Sequence, residues 1–279
     1  MAGPPGCVLI TGCSSGIGLE AVVAFGQRGD TVVAGVRREA SLATVADGCA
    51  GLKVEPVILD VTDPASVASV VETALAQHST IDVLVNNAGI GAIGSFEEAD
   101  EAIYRQIFET NVFGTIAMMK AVLPSMRAAG GGTIVNVGSI IGRVAVPFQS
   151  YYSAAKHAVG ALTDAIRYET SGFGIQMRVV EPGRIPTAFA SNLISERAPD
   201  SSPYRSMAQE WEAGWSAIPG RQHLAEAAEV ARVIVEATAP DAPCHIQAGD
   251  DSKLLIASRE ELGPDGFETY LREATNFGI

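Results

Sequence analysis

CVLITGCSSGIG, residues Cys7 to Gly18, reads as a short apolar strand (Cys7 to Thr11), a turn rich in glycine and serine, and the start of an apolar-periodic helix that runs from about Ile17 to Gly29. A glycine-rich turn has meaning in this setting, because a strand that feeds directly into a helix presents the helix's free N–H groups and positive dipole end to an anion. Gly12, Gly16 and Gly18 are spaced four and two apart, unlike the commoner GxGxxG order. The physical logic is the same: glycine permits positive φ and lets a pyrophosphate approach the backbone. Ser14, Ser15 and Ile17 complete the turn.

The same alternation continues downstream. TVVAGV, Thr31 to Val36, is a second strand, and it ends in Arg37 and Arg38. In a dinucleotide site this strand end faces the adenosine ribose, where a carboxylate would accept from a 2′-hydroxyl and an arginine suits a 2′-phosphate. Two arginines and no carboxylate lean to NADP(H) over NAD(H), although a solvated pair at a helix start would read the same way. A third strand, Lys53 to Leu59, leads into Asp60 and Val61. Asp63 before Pro64 is the pattern of an N-cap ahead of a helix from Pro64 to Gln77. A fourth strand, Ile81 to Asn86, ends in Asn87, Ala88 and Gly89, residues small enough for a cofactor to lie close to the chain. Apolar strands alternating with helices predict an α/β fold: a doubly wound parallel sheet with helices on both faces and ligands at the carboxyl ends of its strands.

A long helical region is expected from Asp100 to Ala129, with Asn111 embedded in apolar sequence. A buried Asn must have its amide bonded, so Asn111 is either satisfied locally or part of a site. The fifth strand, Gly132 to Gly138, places Ser139 at the ligand edge. The loop after it leads into SYYSAAKHAVGALTDAIRYE, Ser150 to Glu169, a helix with Tyr152 and Lys156 four residues apart on one face. A phenol titrates near pH 10, and a fixed neighbouring cation favours the phenolate, so the pair suits proton transfer. The spacing alone also arises by chance on many helices. A sixth strand, Ile175 to Glu181, ends in Pro182 and Gly183, and Thr187 follows. Residues 184–222 are irregular, with Pro186, Pro199, Pro203, Pro219, Phe189, Trp211 and Trp215, which reads as a substrate lid or, alternatively, as a packing flap or oligomer contact. A helix from Leu224 to Ala239 and a last strand from Cys244 to Ala248 close the sheet, and the tail, 249–279, has a modest helical pattern in which no chemistry is legible. No linker or internal repeat divides the chain, so residues 1–279 are expected to form one domain.

Composition limits the function classes. The chain has 279 residues, 19 basic against 32 acidic for a net charge of −13, which argues against a nucleic-acid partner. An apolar content of 47% and mean hydropathy of +0.22 fit a large core, and no apolar run reaches the roughly 18 residues of a membrane span. Without a basic n-region no secretory signal is expected, and a cytoplasmic location follows. Cys7, Cys13, Cys49 and Cys244 are scattered, and neither they nor His78, His157, His223 and His245 have metal-ligand spacing. Reduced thiols and no metal site are therefore expected.

In this order, TGxxxGIG, DVTD, NNAG, Asn111, Ser139, Tyr152 with Lys156, and Pro182-Gly183 make the chain resemble the short-chain dehydrogenase/reductase family from about Cys7 to Ala248. The resemblance implies a Rossmann fold with a seven-stranded parallel sheet, and an oxidoreductase that transfers hydride between a nicotinamide cofactor and a carbonyl or alcohol. It implies a catalytic set of Asn111, Ser139, Tyr152 and Lys156. Tyr152 would be the general acid or base, and Lys156 would lower its pKa and hold the nicotinamide ribose. Ser139 would bond the substrate oxygen, and Asn111 would anchor a water that links Lys156 to solvent. It further implies that Ser14, Ser15 and Ile17 meet the adenosine and phosphates, Asp60 and Val61 the adenine, and Thr187 with the Ile185 backbone the nicotinamide carboxamide. The wording of the motifs is most similar to the NADP(H)-using hydroxysteroid and retinol dehydrogenase branch. Ser15 stands where many NADP(H) members carry a basic residue, which leaves a 2′-phosphate to Arg37 and Arg38. The implied substrate is an apolar ketone or secondary alcohol, cyclic ones included. The alternatives are a ketoreductase of polyketide or other secondary metabolism and a non-catalytic cofactor-binding regulator. The family also implies a homodimer or homotetramer.

Overall fold

The computed structural model describes residues 5–186, 200–218 and 224–278, together with the backbone of 193–195. Strand β1 (Cys7–Thr11) pairs in parallel with β2 (Thr31–Val36) on one side and with β4 (Val83–Asn86) on the other. The full sheet runs β3 (Val54–Ile58), β2, β1, β4, β6 (Gly132–Val137), β7 (Ile175–Pro182) and β9 (His245–Ala248), parallel throughout. The chain order reverses between β1 and β4, and the crevice at such a switch point is where doubly wound sheets bind ligands. The expected doubly wound seven-stranded Rossmann fold is thus what the chain adopts.

Alternate residues of each strand serve opposite faces, and so build two cores. Val8, Ile10, Val32 and Ala34 pack with Val22 and Phe25 of α1 (Gly16–Arg28) on one face. Val230 and Ile234 of the helix Ala227–Glu236 join them there. Leu9, Val33, Leu84 and Ile134 pack with α3 (Pro64–His78) and with the helix Thr115–Ala129 on the other. Strands buried on both faces explain why they read as unbroken apolar runs instead of alternating ones. Asp63 caps α3 as expected, accepting from the Ala65 N–H at 2.9 Å.

Polar side chains tie the sheet to α6 (Ser150–Thr170) at one buried point. Asn136, fully buried on β6, accepts from Asn86 of β4 at 2.8 Å and donates to Thr163 of α6 at 2.9 Å. Truncating it strands the Asn86 amide in a dry core, so Asn136→Ala is expected to destabilise the chain by about 2–3 kcal/mol, read by urea denaturation. A loss below about 0.5 kcal/mol would show that the buried amides find other partners.

Two features depart from the sequence reading, and the helical pattern of the tail is realised. The expected helix over Asp100–Ala129 is interrupted: α4 (Glu101–Phe108) passes through a π-helical turn, Glu109–Gly114, into α5 (Thr115–Ala129). A second, two-stranded parallel sheet joins β5 (Gly91–Ile93) to β8 (Leu193–Ser195). The C-terminal tail is a long helix, Asp250–Thr275, kinked at Gly263 (φ 68°) before Pro264. It packs against the helix Arg205–Ala217, forming a third core of Trp211, Trp215, Ile218, Leu255, Phe267 and Phe277. We label these helices α7 (Arg205–Ala217), α8 (Ala227–Glu236) and α9 (Asp250–Thr275). Among the described residues, no helix is long and apolar enough to cross a membrane.

Candidate active site

A cavity of about 740 Å³ opens at the carboxyl ends of the strands. At its floor lies the turn between β1 and α1. Gly12 has φ +72°. A Cβ on Gly18 would come within 2.3 Å of the Gly12 carbonyl oxygen and 2.5 Å of Asn87 Nδ2, so the turn closes only with glycine there. Asn87 holds the turn from the next strand, donating from Nδ2 to the carbonyls of Thr11 and Gly12, each at 3.0 Å. Thr11 Oγ1 in turn accepts from the N–H groups of Asn87 and Ala88 at 3.0 and 2.9 Å. Ser15 precedes α1 without a side-chain cap, which leaves the first N–H groups of the helix free to face an anion.

Most of the residues singled out from the sequence meet in this one cavity. Gly12, Ser14, Ser15, Gly16, Ile17 and Gly18 line one end, with Arg37 and Arg38 beyond β2 and Asp60 and Val61 beyond β3. Asn87, Ala88 and Gly89 line the middle, and Ser139, Tyr152, Lys156, Pro182, Gly183 and Ile185 the other end. Thr187 lies outside the described residues. Asn111 is displaced from the wall by one layer. The π-turn aims its amide at the loop after β4, where Oδ1 accepts from the Ile90 N–H at 2.9 Å and Nδ2 donates to the Ile90 carbonyl at 2.8 Å. Its own carbonyl accepts from Thr115 Oγ1 at 2.9 Å. Of the two explanations the sequence left open for this buried amide, its side chain satisfies the local one, while Ile90 itself lines the cavity.

The hydroxyls of Tyr152 and Ser139 are hydrogen-bonded to each other. Ser139 stands at the turn after β6, where its Oγ accepts from the Ile141 N–H at 3.4 Å. Lys156, 7% exposed, donates from Nζ to the Val137 carbonyl at 2.7 Å and sits 5.8 Å from the centre of the Tyr152 ring. The expected direction of the Tyr152 shift is reversed here. Burial pushes the phenol well above its usual pKa, partly countered by the Ser139 bond, and burial also lowers the Lys156 ammonium to about 8. Both groups are desolvated and the ammonium faces a carbonyl, so burial outweighs the attraction that their spacing suggested.

Other residues of the wall, Trp215 apart, were not singled out beforehand. Ile90, Ile93 and Ile141 supply apolar surface, Gln149 stands just before α6, and Glu212, Trp215 and Ser216 reach the cavity from α7. The aromatic content of residues 184–222 pointed to Trp215. Nothing in the sequence marks Gln149 or Ile93. His245 also finds partners that spacing could not show: Nδ1 meets Glu181 and Nε2 meets Asp164, each at 2.8 Å. The Glu181 bond is the main reason its pKa is raised. Asp164, Cys244 and His245 form the group of potential metal ligands found among the described residues.

Comparison with known proteins gives a consistent picture. A family model described as short chain dehydrogenase matches residues 6–198. A 3-ketodihydrosphingosine reductase from Bacteroides thetaiotaomicron is 38% identical over 201 residues, 72% of each chain. A retinol dehydrogenase 8 from Bos taurus is 38% identical over 202 residues, 70% of this chain and 64% of its relative. Among solved structures, a short-chain dehydrogenase from Streptomyces avermitilis superposes with a TM-score of 0.81 at 29% identity, covering 99% of this chain and 100% of its own. One from Burkholderia phymatum in complex with NAD has a TM-score of 0.79 at 26% identity, over 94% and 95%.

Proposed function

Because the chain belongs to the short-chain dehydrogenase family, we propose that it is an NADP(H)-dependent oxidoreductase that interconverts an apolar ketone and its secondary alcohol. The observation that carries this reading is the shared cavity: the glycine turn and the bonded Tyr152–Ser139 pair lie at its two ends, with Lys156 behind. The residues fit a dinucleotide. Gly18 lets the turn close tightly against Asn87, the N-terminus of α1 is uncapped, and Asn87 to Gly89 bring a thin wall alongside.

Bound at that wall, NADP(H) supplies the hydride. Tyr152 holds the proton that its O–H delivers to the carbonyl oxygen in reduction and takes back in oxidation. Ser139 donates to the same oxygen as charge develops on it. Lys156, anchored by Val137 beside the Tyr152 ring, would hold a ribose hydroxyl of the bound cofactor. Asn111 holds Ile90, and through it the loop after β4, against the cavity. Ile90, Ile93, Ile141 and Trp215 favour an apolar substrate. The names of the two curated relatives, a ketodihydrosphingosine reductase and a retinol dehydrogenase, are in keeping with a lipid-like carbonyl or alcohol. The test is a panel of apolar ketones, cyclic and long-chain, read by NADPH consumption. No turnover with any of them, under conditions where NADPH binds, would overturn the substrate class.

Arg37 and Arg38 line the cavity at the end of β2, and among the described residues neither has an ion pair. They are the groups proposed to receive a 2′-phosphate. Replacing both with alanine is expected to weaken NADPH binding by about tenfold or more, because charge-assisted bonds are worth about 1.5–3 kcal/mol each, and to leave NADH nearly unchanged. Fluorescence titration reads both. An equal loss for the two cofactors would place the arginines away from the phosphate.

A further inference from the structure

The Pro182-Gly183 turn is gripped from outside the region that the family model matches, which ends at residue 198. Two adjacent residues at the start of α9 do this. Asp251, 1% exposed, accepts from the Arg184 N–H through Oδ2 at 2.8 Å and from the Ser252 N–H through Oδ1 at 2.9 Å. Ser252, fully buried, donates from Oγ to the Glu181 carbonyl at 2.7 Å. The two side chains therefore bond the backbone on either side of Pro182 and Gly183. A third bond, from the Gly183 N–H to the Ala248 carbonyl at 3.0 Å, joins the turn to the end of β9.

The need for glycine at position 183 comes from this contact. A Cβ there would fall only 1.7 Å from Asp251 Oδ1 and 2.4 Å from its Cγ, so the carboxylate occupies the space that a side chain would take. A buried carboxylate that, among the described residues, pairs with no cation must be held by N–H groups and by the positive end of its helix. Asp251 has both, whereas its neighbour Asp250 is exposed and lies 3.6 Å from Lys253. Pro182, Gly183, Arg184 and Ile185 all line the cavity at its Tyr152 end.

We infer that Asp251, with Ser252, is a positioning residue for the reaction: it sets the 182–185 turn against which the nicotinamide half of the cofactor rests. The inference rests on the reading of the cavity as an NADP(H) site. It requires that loss of Asp251 be felt at the nicotinamide end and not at the adenosine end, where the glycine turn and Arg37 and Arg38 lie.

The test compares NADPH, read by energy transfer from tryptophan, with 2′,5′-ADP, which carries only the adenosine half, read by calorimetry. Asp251→Ala is expected to weaken NADPH by about tenfold, the value of one hydrogen bond to a charged group, while 2′,5′-ADP changes by less than about twofold. Asp251→Asn, which keeps the volume and one acceptor, is expected to lie between Asp251→Ala and wild type, and gives a result should the alanine variant not fold. Gly183→Ala is expected to abolish tight NADPH binding in the wild-type background but to add no loss on top of Asp251→Ala, since the clashing carboxylate is then absent. Equal weakening of both ligands, unchanged NADPH binding, or additive losses in the double variant would each overturn the inference. A wild-type chain that binds neither NADPH nor NADH would overturn the reading of the cavity and the inference with it.

Discussion

Tyr152→Phe is expected to lower turnover of any substrate found with NADPH by on the order of 10²- to 10⁴-fold, the range removed with a general acid, while the chain melts within a few degrees of wild type. The ring packs in the third core beside Ile140, Ile141 and Trp215, and phenylalanine keeps that packing. What is lost is the O–H that meets Ser139, and Ser139 retains its bond from the Ile141 N–H. Stopped-flow or steady-state NADPH consumption, with a thermal melt alongside, checks both halves. Unchanged kcat would remove Tyr152 from the proton transfer and leave the site without its proposed acid.

Lys156→Met should separate stability from activity. Burial lowers the ammonium from 10.5 to about 8 in the folded chain, so at pH 7 folding carries a penalty of about 3 kcal/mol at 1.36 kcal/mol per pH unit. The sign follows from linkage. Between about pH 8 and 10.5 the unfolded chain binds the proton and the folded chain has released it, so wild-type stability rises with pH across that window. Below about pH 8 both states are protonated and the penalty is fully present. Methionine fills a similar volume without charge, although the Val137 carbonyl loses its donor. The variant is therefore expected to be more stable than wild type at pH 7, with a gain of up to about 3 kcal/mol, and to lose the rise towards pH 10.5. Its turnover should fall by about 10²-fold or more, because the group proposed to assist the phenol is gone. Urea melts of both proteins at pH 7 and pH 10 test the stability claim. A variant that melts lower than wild type at pH 7 would show that the Val137 bond outweighs the desolvation of the ammonium.

A buried carbonyl-to-ammonium contact such as this one could not be read from spacing. Tyr152 and Lys156 were legible as a pair because four residues on a helix share a face. Their protonation was not, because it depends on how much water the third core excludes, and much of that core comes from α7 and α9, far along the chain. Asn111 stood out as a polar residue in an apolar stretch. Its partner, the Ile90 backbone, became visible only with the π-turn, which inserts a residue into the helix and has no pattern of its own in the apolar periodicity.

By itself the sequence determined the alternation of strand and helix, the glycine turn, the strand ends where ligands collect, and the family. These are local consequences of apolar periodicity and glycine placement, and each is written in contiguous residues. The tertiary structure alone decided which polar groups face one another over long separations. Asp250 and Asp251 are identical neighbours on paper; folding exposes the first and buries the second against Gly183, sixty-eight residues earlier. The tail's helical pattern showed that a helix forms there. Only the packing of α9 on α7 and β9 showed what its first turn holds, because burial and hydrogen-bond partnership are properties of the assembled sheet edge and not of any one stretch of chain.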